Sequence, residues 1–207
     1  MTDLSFIFYS LKSRLLNCLL SILLTSFGVS ISLLIIQFGN HIENRLVKDG
    51  EGIDIVVGSK GSPLQLILSS IYHIDIPTGN FPYSEAENLI KHPQIKTAIP
   101  LALGDNWKGH RIVGTTSDYI KHYKAELSEG TSWMREFEVV IGSSVKLKIN
   151  DEIIGAHGLL EQGENHDDHK YKVTGILKPT GSVLDRLIIT SLDSVLEIHG
   201  LHLVNEK

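Results

Sequence analysis

The hydrophobic pattern divides the chain at residue 38. From Leu15 to Phe38 it reads LLNCLLSILLTSFGVSISLLIIQF, twenty-four residues without a charged side chain. At about 1.5 Å per residue a helix of this length covers roughly 36 Å, enough to cross a hydrocarbon core of about 30 Å with some tilt. A cleavable signal peptide has an apolar core of only about 7–15 residues and a small-x-small site behind it, and the following GNHIENRLVKDG contains no such site. A buried helix of a soluble protein is a poor match for so long an uncharged run. The pattern therefore predicts a transmembrane helix over 15–38. Ahead of it Leu4, Ile7, Phe8 and Leu11 recur at helical spacing with Lys12 and Arg14 behind them, which predicts a short amphipathic helix at the membrane interface.

Beyond residue 38 the pattern breaks into short pieces. Ile53–Val57 is a β-branched run closed by GSKGSP, and is expected to be a strand ending in a turn. Leu64, Ile67, Leu68 and Ile71 share a helical face. SEAENLIKH predicts a helix capped by Ser84, and SDYIKHYKAEL a second capped by Ser117. Between them lie strand-like IKTAIPLAL, a turn at GDN, and HRIVGTT. FEVVIG is a further strand, and VKLKI and EIIGA around Asn150-Asp151 predict a hairpin. YKVTGIL, a KPTGS turn, LDRLIIT and a helix SLDSVLEIHG capped by Ser191 complete the series. Strands and helices mix in an α+β order without long βα alternation. The expected organisation is a cytoplasmic amphipathic head over 1–14, a membrane helix over 15–38 and an extracytoplasmic mixed α/β domain over 39–207.

Charge orients this arrangement and narrows the partners. Lys12 and Arg14 precede the membrane run, whereas Glu43, Asp49 and Glu51 offset Arg45 and Lys48 behind it. The positive-inside rule then places the N-terminus in the cytoplasm. After residue 38 the chain holds 17 Lys/Arg against 23 Asp/Glu, an acidic balance that argues against nucleic acid and anionic lipid as main partners of the domain. The one cysteine, Cys18, lies in the membrane run, so no internal disulfide can form.

The membrane run carries a polar stripe. Asn17, Ser21, Thr25, Gly28 and Ser32 are spaced by four, four, three and four, which places them within about an 80° arc of one helix face. Small and hydroxyl side chains allow close approach of a neighbouring helix, and an asparagine in lipid is costly without a partner. These five residues are the candidate membrane-helix packing site. Ser26 and Ser30 lie on another face, a reminder that such residues are ordinary in membrane helices.

Several segments together resemble the MacB/FtsX/LolC-type permease subunits of bacterial ABC transporters. The basic amphipathic head entering a Ser/Thr/Gly-containing membrane helix is similar to how such subunits begin. EGIDIVVGSKGSPLQL resembles the first strand of their extracytoplasmic core domain. EVVIGSSVKLKINDEIIG resembles that domain's strand, glycine turn and K-x-G-D-like element, with Asn150 where glycine is common. YKVTGILKPTGSVLDRLIITSLDSVLEIHG resembles its closing strand–turn–strand–helix, with Asp185-Arg186 ahead of a strand. The segment between Gly142 and Lys148 is shorter than in such relatives. They also carry three further membrane helices after the core domain, so the expectation is a truncated or split permease, or a single-span partner of other membrane subunits. The resemblance implies a fold of the MacB periplasmic core type and a place in the bacterial plasma (inner) membrane. It also implies a role in substrate export or lipoprotein handling, driven by a separate cytoplasmic ABC ATPase subunit, with other membrane helices or a second permease copy as partners. It implies no enzymatic activity, cofactor or catalytic residue in this chain.

The residues agree with the last point. GSKGSP lacks the spacing G-x-x-x-x-G-K-[ST] of a phosphate loop and is better read as a turn, and no G-x-S-x-G elbow occurs. Asp185-Arg186 is expected to be an ion pair or a turn clamp. One alternative comes from AHGLLEQGENHDDHKY, where His157, His166, Asp167, Asp168 and His169 could hold Zn²⁺. That would make the chain a single-pass periplasmic metal-binding or sensing protein. A solvated polar loop between two strands explains the same residues without a metal. His73 and Asp75 are a weaker candidate of the same kind.

Overall fold

The computed structural model describes residues 3–157 and 165–198. The chain falls into two compact units, divided between Val47 and Lys48.

The first unit is helical. Helix α1 spans Asp3–Ser13, and α2 begins at Leu15 after a break at Arg14. Among the described residues α2 is the one helix long and apolar enough to cross a membrane, and none of its apolar window is buried by protein. Helix α2 does not end with the apolar run at Phe38 but continues to Gly50. The polar stretch GNHIENRLVKDG is therefore helical, and its last turn belongs to the second unit.

Among the described residues the second unit holds seven strands: β1 (Ala102–Trp107), β2 (His110–Thr115), β3 (Leu127–Gly130), β4 (Glu138–Ile141), β5 (Glu152–His157), β6 (Asn165–Leu177) and β7 (Ile188–Ser191). Their order is β3-β6-β4-β7-β2-β1-β5, and β5 also pairs with β6. The ladder thus closes into a ring, β6-β4-β7-β2-β1-β5-β6, with β3 added outside on β6. The long β6 makes this possible: its Lys172 faces Glu152 of β5 on one side and Glu138 of β4 on the other.

Both faces of the sheet are buried, and alternation along the strands sorts the side chains. Ile112, Val139, Ile141, Ile153, Tyr171, Val173 and Ile188 form one cluster, joined by Val195 of helix α6 (Leu192–Ile198). Val113, Val140, Leu177 and Ile189 form the other, joined by Tyr119 of α5 (Ser117–His122) and by Val183, Leu184 and Leu187. Leu177 has the same odd parity as Tyr171 and Val173 yet lies on the opposite face. A register shift, where Val139 faces Val173 and Val140 already faces Gly175, accounts for this. Helix α6 rests on bare backbone at Gly114, where a Cβ would come within 2.7 Å of Val195. Two further helices, α3 (Pro63–Ser70) and α4 (Tyr83–Ile90), complete the unit.

Four sequence expectations are corrected. Ile53–Val57 is not a strand in any ladder. GDN is not a turn: Asp105 and Asn106 are buried in β1. The reversal falls at Lys108-Gly109, whose φ values of 46° and 81° suit a two-residue hairpin turn. Val145–Ile149 does not form a hairpin arm with β5. Its side chains pack on the core, while the Asn150-Asp151 turn bonds directly to Val173 of β6, by Asn150 N to Val173 O and Val173 N to Asp151 O. Finally, α4 is preceded by Pro82 rather than capped by Ser84, and α5 by Thr116 rather than Ser117, with no side-chain cap in either case. Ser191 does cap α6, its hydroxyl accepting the Ser194 amide at 3.2 Å.

Candidate functional site

On α2 the five stripe residues share one exposed face. Thr25 Oγ1 donates to the Ser21 carbonyl at 2.8 Å, and Ser32 Oγ to the Gly28 carbonyl at 2.9 Å. The two hydroxyls are thus satisfied within the helix and cost little in lipid. A Cβ at Gly28 would meet nothing within 4 Å, so the groove there is open to a neighbour. Asn17 begins the stripe at the third residue of the helix.

A second polar arrangement lies where the second unit begins. Asp49 sits in the last turn of α2, where a carboxylate opposes the helix dipole, and it is only 4 % exposed. Its carboxylate accepts the Val183 amide at 2.6 Å, and Lys48 Nζ donates to the Thr180 carbonyl. The loop that receives them is held by Asp185. One carboxylate oxygen accepts the Thr180 amide at 2.7 Å and the Thr180 hydroxyl at 2.8 Å, and the other accepts the Gly181 amide at 2.8 Å. Asp185 is therefore a turn clamp and not the ion-pair partner of Arg186, whose guanidinium donates to the Tyr72 carbonyl instead.

From Asp49 a buried series of hydrogen bonds and ring contacts runs inward. Tyr123 donates its hydroxyl to the Asp49 carbonyl at 2.8 Å. The Tyr119 and Tyr123 rings meet edge to face at 5.4 Å, and His73 Nε2 lies 2.8 Å from the Tyr119 hydroxyl. The other ring nitrogen of His73, Nδ1, is buried and meets no hydrogen-bond partner among the described residues. Burial, aided by Arg111 and Arg186, lowers the His73 pKa to about 3, so the ring is neutral. Burial likewise raises Tyr119 above its usual range and Tyr123 to about 12. His73 adopts a left-handed φ of 51° at the turn after α3. Arg186 and Arg111 pin the flanking carbonyls of Tyr72 and Asp75. His73 and Asp75 thus serve the turn itself, and among the described residues no group of three possible metal ligands occurs.

The proposed zinc ligands lie outside what is described: the side chains of His157, His166, Asp167, Asp168 and His169 are not among the described ones. Their backbones are, and His157 ends β5 while 166–169 belong to β6 rather than to a loop. The Asp49 latch is a feature that sequence reasoning missed, since Asp49 counted there only as a flanking charge. An acid at a helix C-terminus followed by glycine was the available signal.

An apolar N-terminal helix followed by a ring-closed α+β unit defines a membrane-anchored protein with a periplasmic-type domain. The chain belongs to the family of the MacB-like periplasmic core domain, whose model matches residues 18–203; domains of this kind occur in ABC-type transporter permeases. Among solved structures it is similar to the periplasmic region of MacB from Actinobacillus actinomycetemcomitans, at 14% identity and a TM-score of 0.42, over 69% of this chain and 65% of that one. It is also similar to the extracellular domain of the noncanonic ABC-type transporter YknZ from Gram-positive bacteria, at 14% identity and a TM-score of 0.40, over 58% of this chain and 67% of that one. The chain thus spans 65% of the MacB region it matches. Comparison with curated proteins found no match.

Proposed function

We propose that the chain is a permease-type component of a bacterial ABC transporter, without catalysis of its own, in which a separate cytoplasmic ATPase drives an extracytoplasmic domain. The work done is substrate export or lipoprotein handling. The N-terminus is cytoplasmic, the protein sits in the plasma (inner) membrane, and the stripe Asn17, Ser21, Thr25, Gly28 and Ser32 packs against other membrane helices. The observation that carries the coupling is the latch at Lys48 and Asp49: α2 is one unbroken helix to Gly50, and its last turn is tied to the Thr180–Val183 loop. A displacement of that turn strains two bonds before it meets any flexible linker.

The test is purification of the tagged full chain from native membranes in mild detergent. An ABC ATPase, identified by mass spectrometry and by ATP hydrolysis, is expected to co-purify. Recovery of the chain with no ATPase from membranes that contain one would count against the proposal.

A further inference from the structure

Two buried polar side chains share one corner of the ring, where β1, β5 and β6 meet. Asp105 is fully buried, and it lies where the β1–β2 ladder shifts register, between Leu103 and Asn106. Its carboxylate rests against the bare Cα of Gly155, where an added Cβ would come within 3.5 Å of Asp105 Oδ2. Tyr171 is also fully buried, and its hydroxyl meets no hydrogen-bond partner among the described residues. Burial, and after it the Asp105 charge, raises the Tyr171 pKa above its usual range, so the phenol keeps its proton beside the carboxylate. A buried carboxylate is held by donors or by a cation, and an orphaned buried hydroxyl is costly.

Strand register brings histidine positions to the same corner. In the β1–β5 ladder Asp105 stands opposite His157, and directly opposed residues share a face. Strand β6 sets residues 165–170 against only 154–156 of β5, a bulge of the kind that gathers beside functional sites. Beyond it Lys170 is exposed and Tyr171 buried, so strand alternation puts position 169, a histidine, on the Tyr171 face. We propose that Asp105, His157 and His169 bind one Zn²⁺ ion at this corner. One carboxylate and two imidazoles form a nitrogen–oxygen set that suits zinc. Three protein ligands leave the fourth tetrahedral position to water, which supplies the partner that the Tyr171 hydroxyl lacks. The ion joins three strands where the ring closes, so its binding stabilises the folded domain.

The test needs no ATPase and is independent of the permease reading. The full chain, carrying a tag without histidine, is purified in detergent, stripped with EDTA and titrated with Zn²⁺ alone against a chromogenic chelator. The expected result is one ion per chain. Asp105→Asn, His157→Ala and His169→Ala should each weaken binding by about tenfold or more, whereas His92→Ala, at an exposed residue on another part of the chain, should leave it unchanged. Zn²⁺ should raise the melting temperature of the wild type and not that of His157→Ala, a comparison that stands even where Asp105→Asn fails to fold. No stoichiometric uptake at micromolar Zn²⁺, or uptake that survives both His157→Ala and His169→Ala, would overturn the inference.

Discussion

The carboxylate of Asp49 accepts the amide of Val183 at 2.6 Å across 134 residues of sequence. It does so from the one helical turn where a negative charge is disfavoured, so the bond to Val183 compensates a local cost. Asp49→Ala leaves the buried Val183 amide without its acceptor, and the expected loss is about 1–3 kcal/mol. Urea unfolding of the full chain in detergent, followed by the fluorescence of Trp107 and Trp133, measures it. A midpoint unchanged from wild type would deny the latch any structural weight.

Acid should weaken the second unit through His73. An unfolded histidine takes up its proton near pH 6.5, whereas the buried ring does so only at about 3. The contribution is therefore complete above about pH 6.5 and is lost as pH falls toward 3, at up to about 1.4 kcal/mol per pH unit. Between pH 7 and 5 the wild type should lose thermal stability faster than His73→Gln, which keeps a hydrogen-bonding group for Tyr119 but does not titrate. Parallel pH profiles for the two would remove His73 as the cause.

Gly142 ends β4 where the backbone of Leu184 and Asp185 passes too close for any side chain: a Cβ would lie 2.0 Å from the Leu184 carbonyl oxygen. Because the obstacle is backbone, Gly142→Ala should cost about 3 kcal/mol and loosen the loop that Asp185 clamps. Gly109→Ala is the contrast, since its Cβ meets nothing within 4 Å and only its φ of 81° resists. Expression and thermal melting of the pair should rank Gly142→Ala clearly lower.

Much of this fold was legible because burial follows parity. Ile112-Val113, Val139–Ile141 and Ile188-Ile189 read as continuous apolar runs, which is what strands covered on both faces require. The long apolar helix was legible from the length and composition of its run. What escaped depends on long-range pairing. IDIVV has the composition of a strand but no neighbouring strand among the described residues. VKLKI has the alternation of a hairpin arm, yet its turn docks onto β6 instead. Gly-Asp-Asn looks like a turn until Lys108-Gly109 supplies two positive φ angles further on. In the candidate site, the stripe on α2 follows from helical period. The union of Asp49 with residues 180–183 does not, because nothing local connects positions 134 apart.

The stripe makes its own prediction. Asn17→Leu and Gly28→Leu preserve helix and hydrophobicity but remove a polar contact and fill an open groove. Each should weaken association with other membrane helices by about 1–2 kcal/mol, read as reduced recovery of co-purifying subunits. Ser26→Leu and Ser30→Leu, on another face, should leave recovery unchanged. Equal effects from all four would mean that no single face packs.

Coupling is tested most directly by hydrogen exchange at residues 180–187 in the chain purified with its ATPase and placed in lipid nanodiscs. The account predicts that ATP turnover changes the protection of the Val183 amide, and that Asp49→Ala, which removes the acceptor, abolishes the change while ATP is still hydrolysed. Protection that stays constant through turnover, in a complex that hydrolyses ATP, would contradict it.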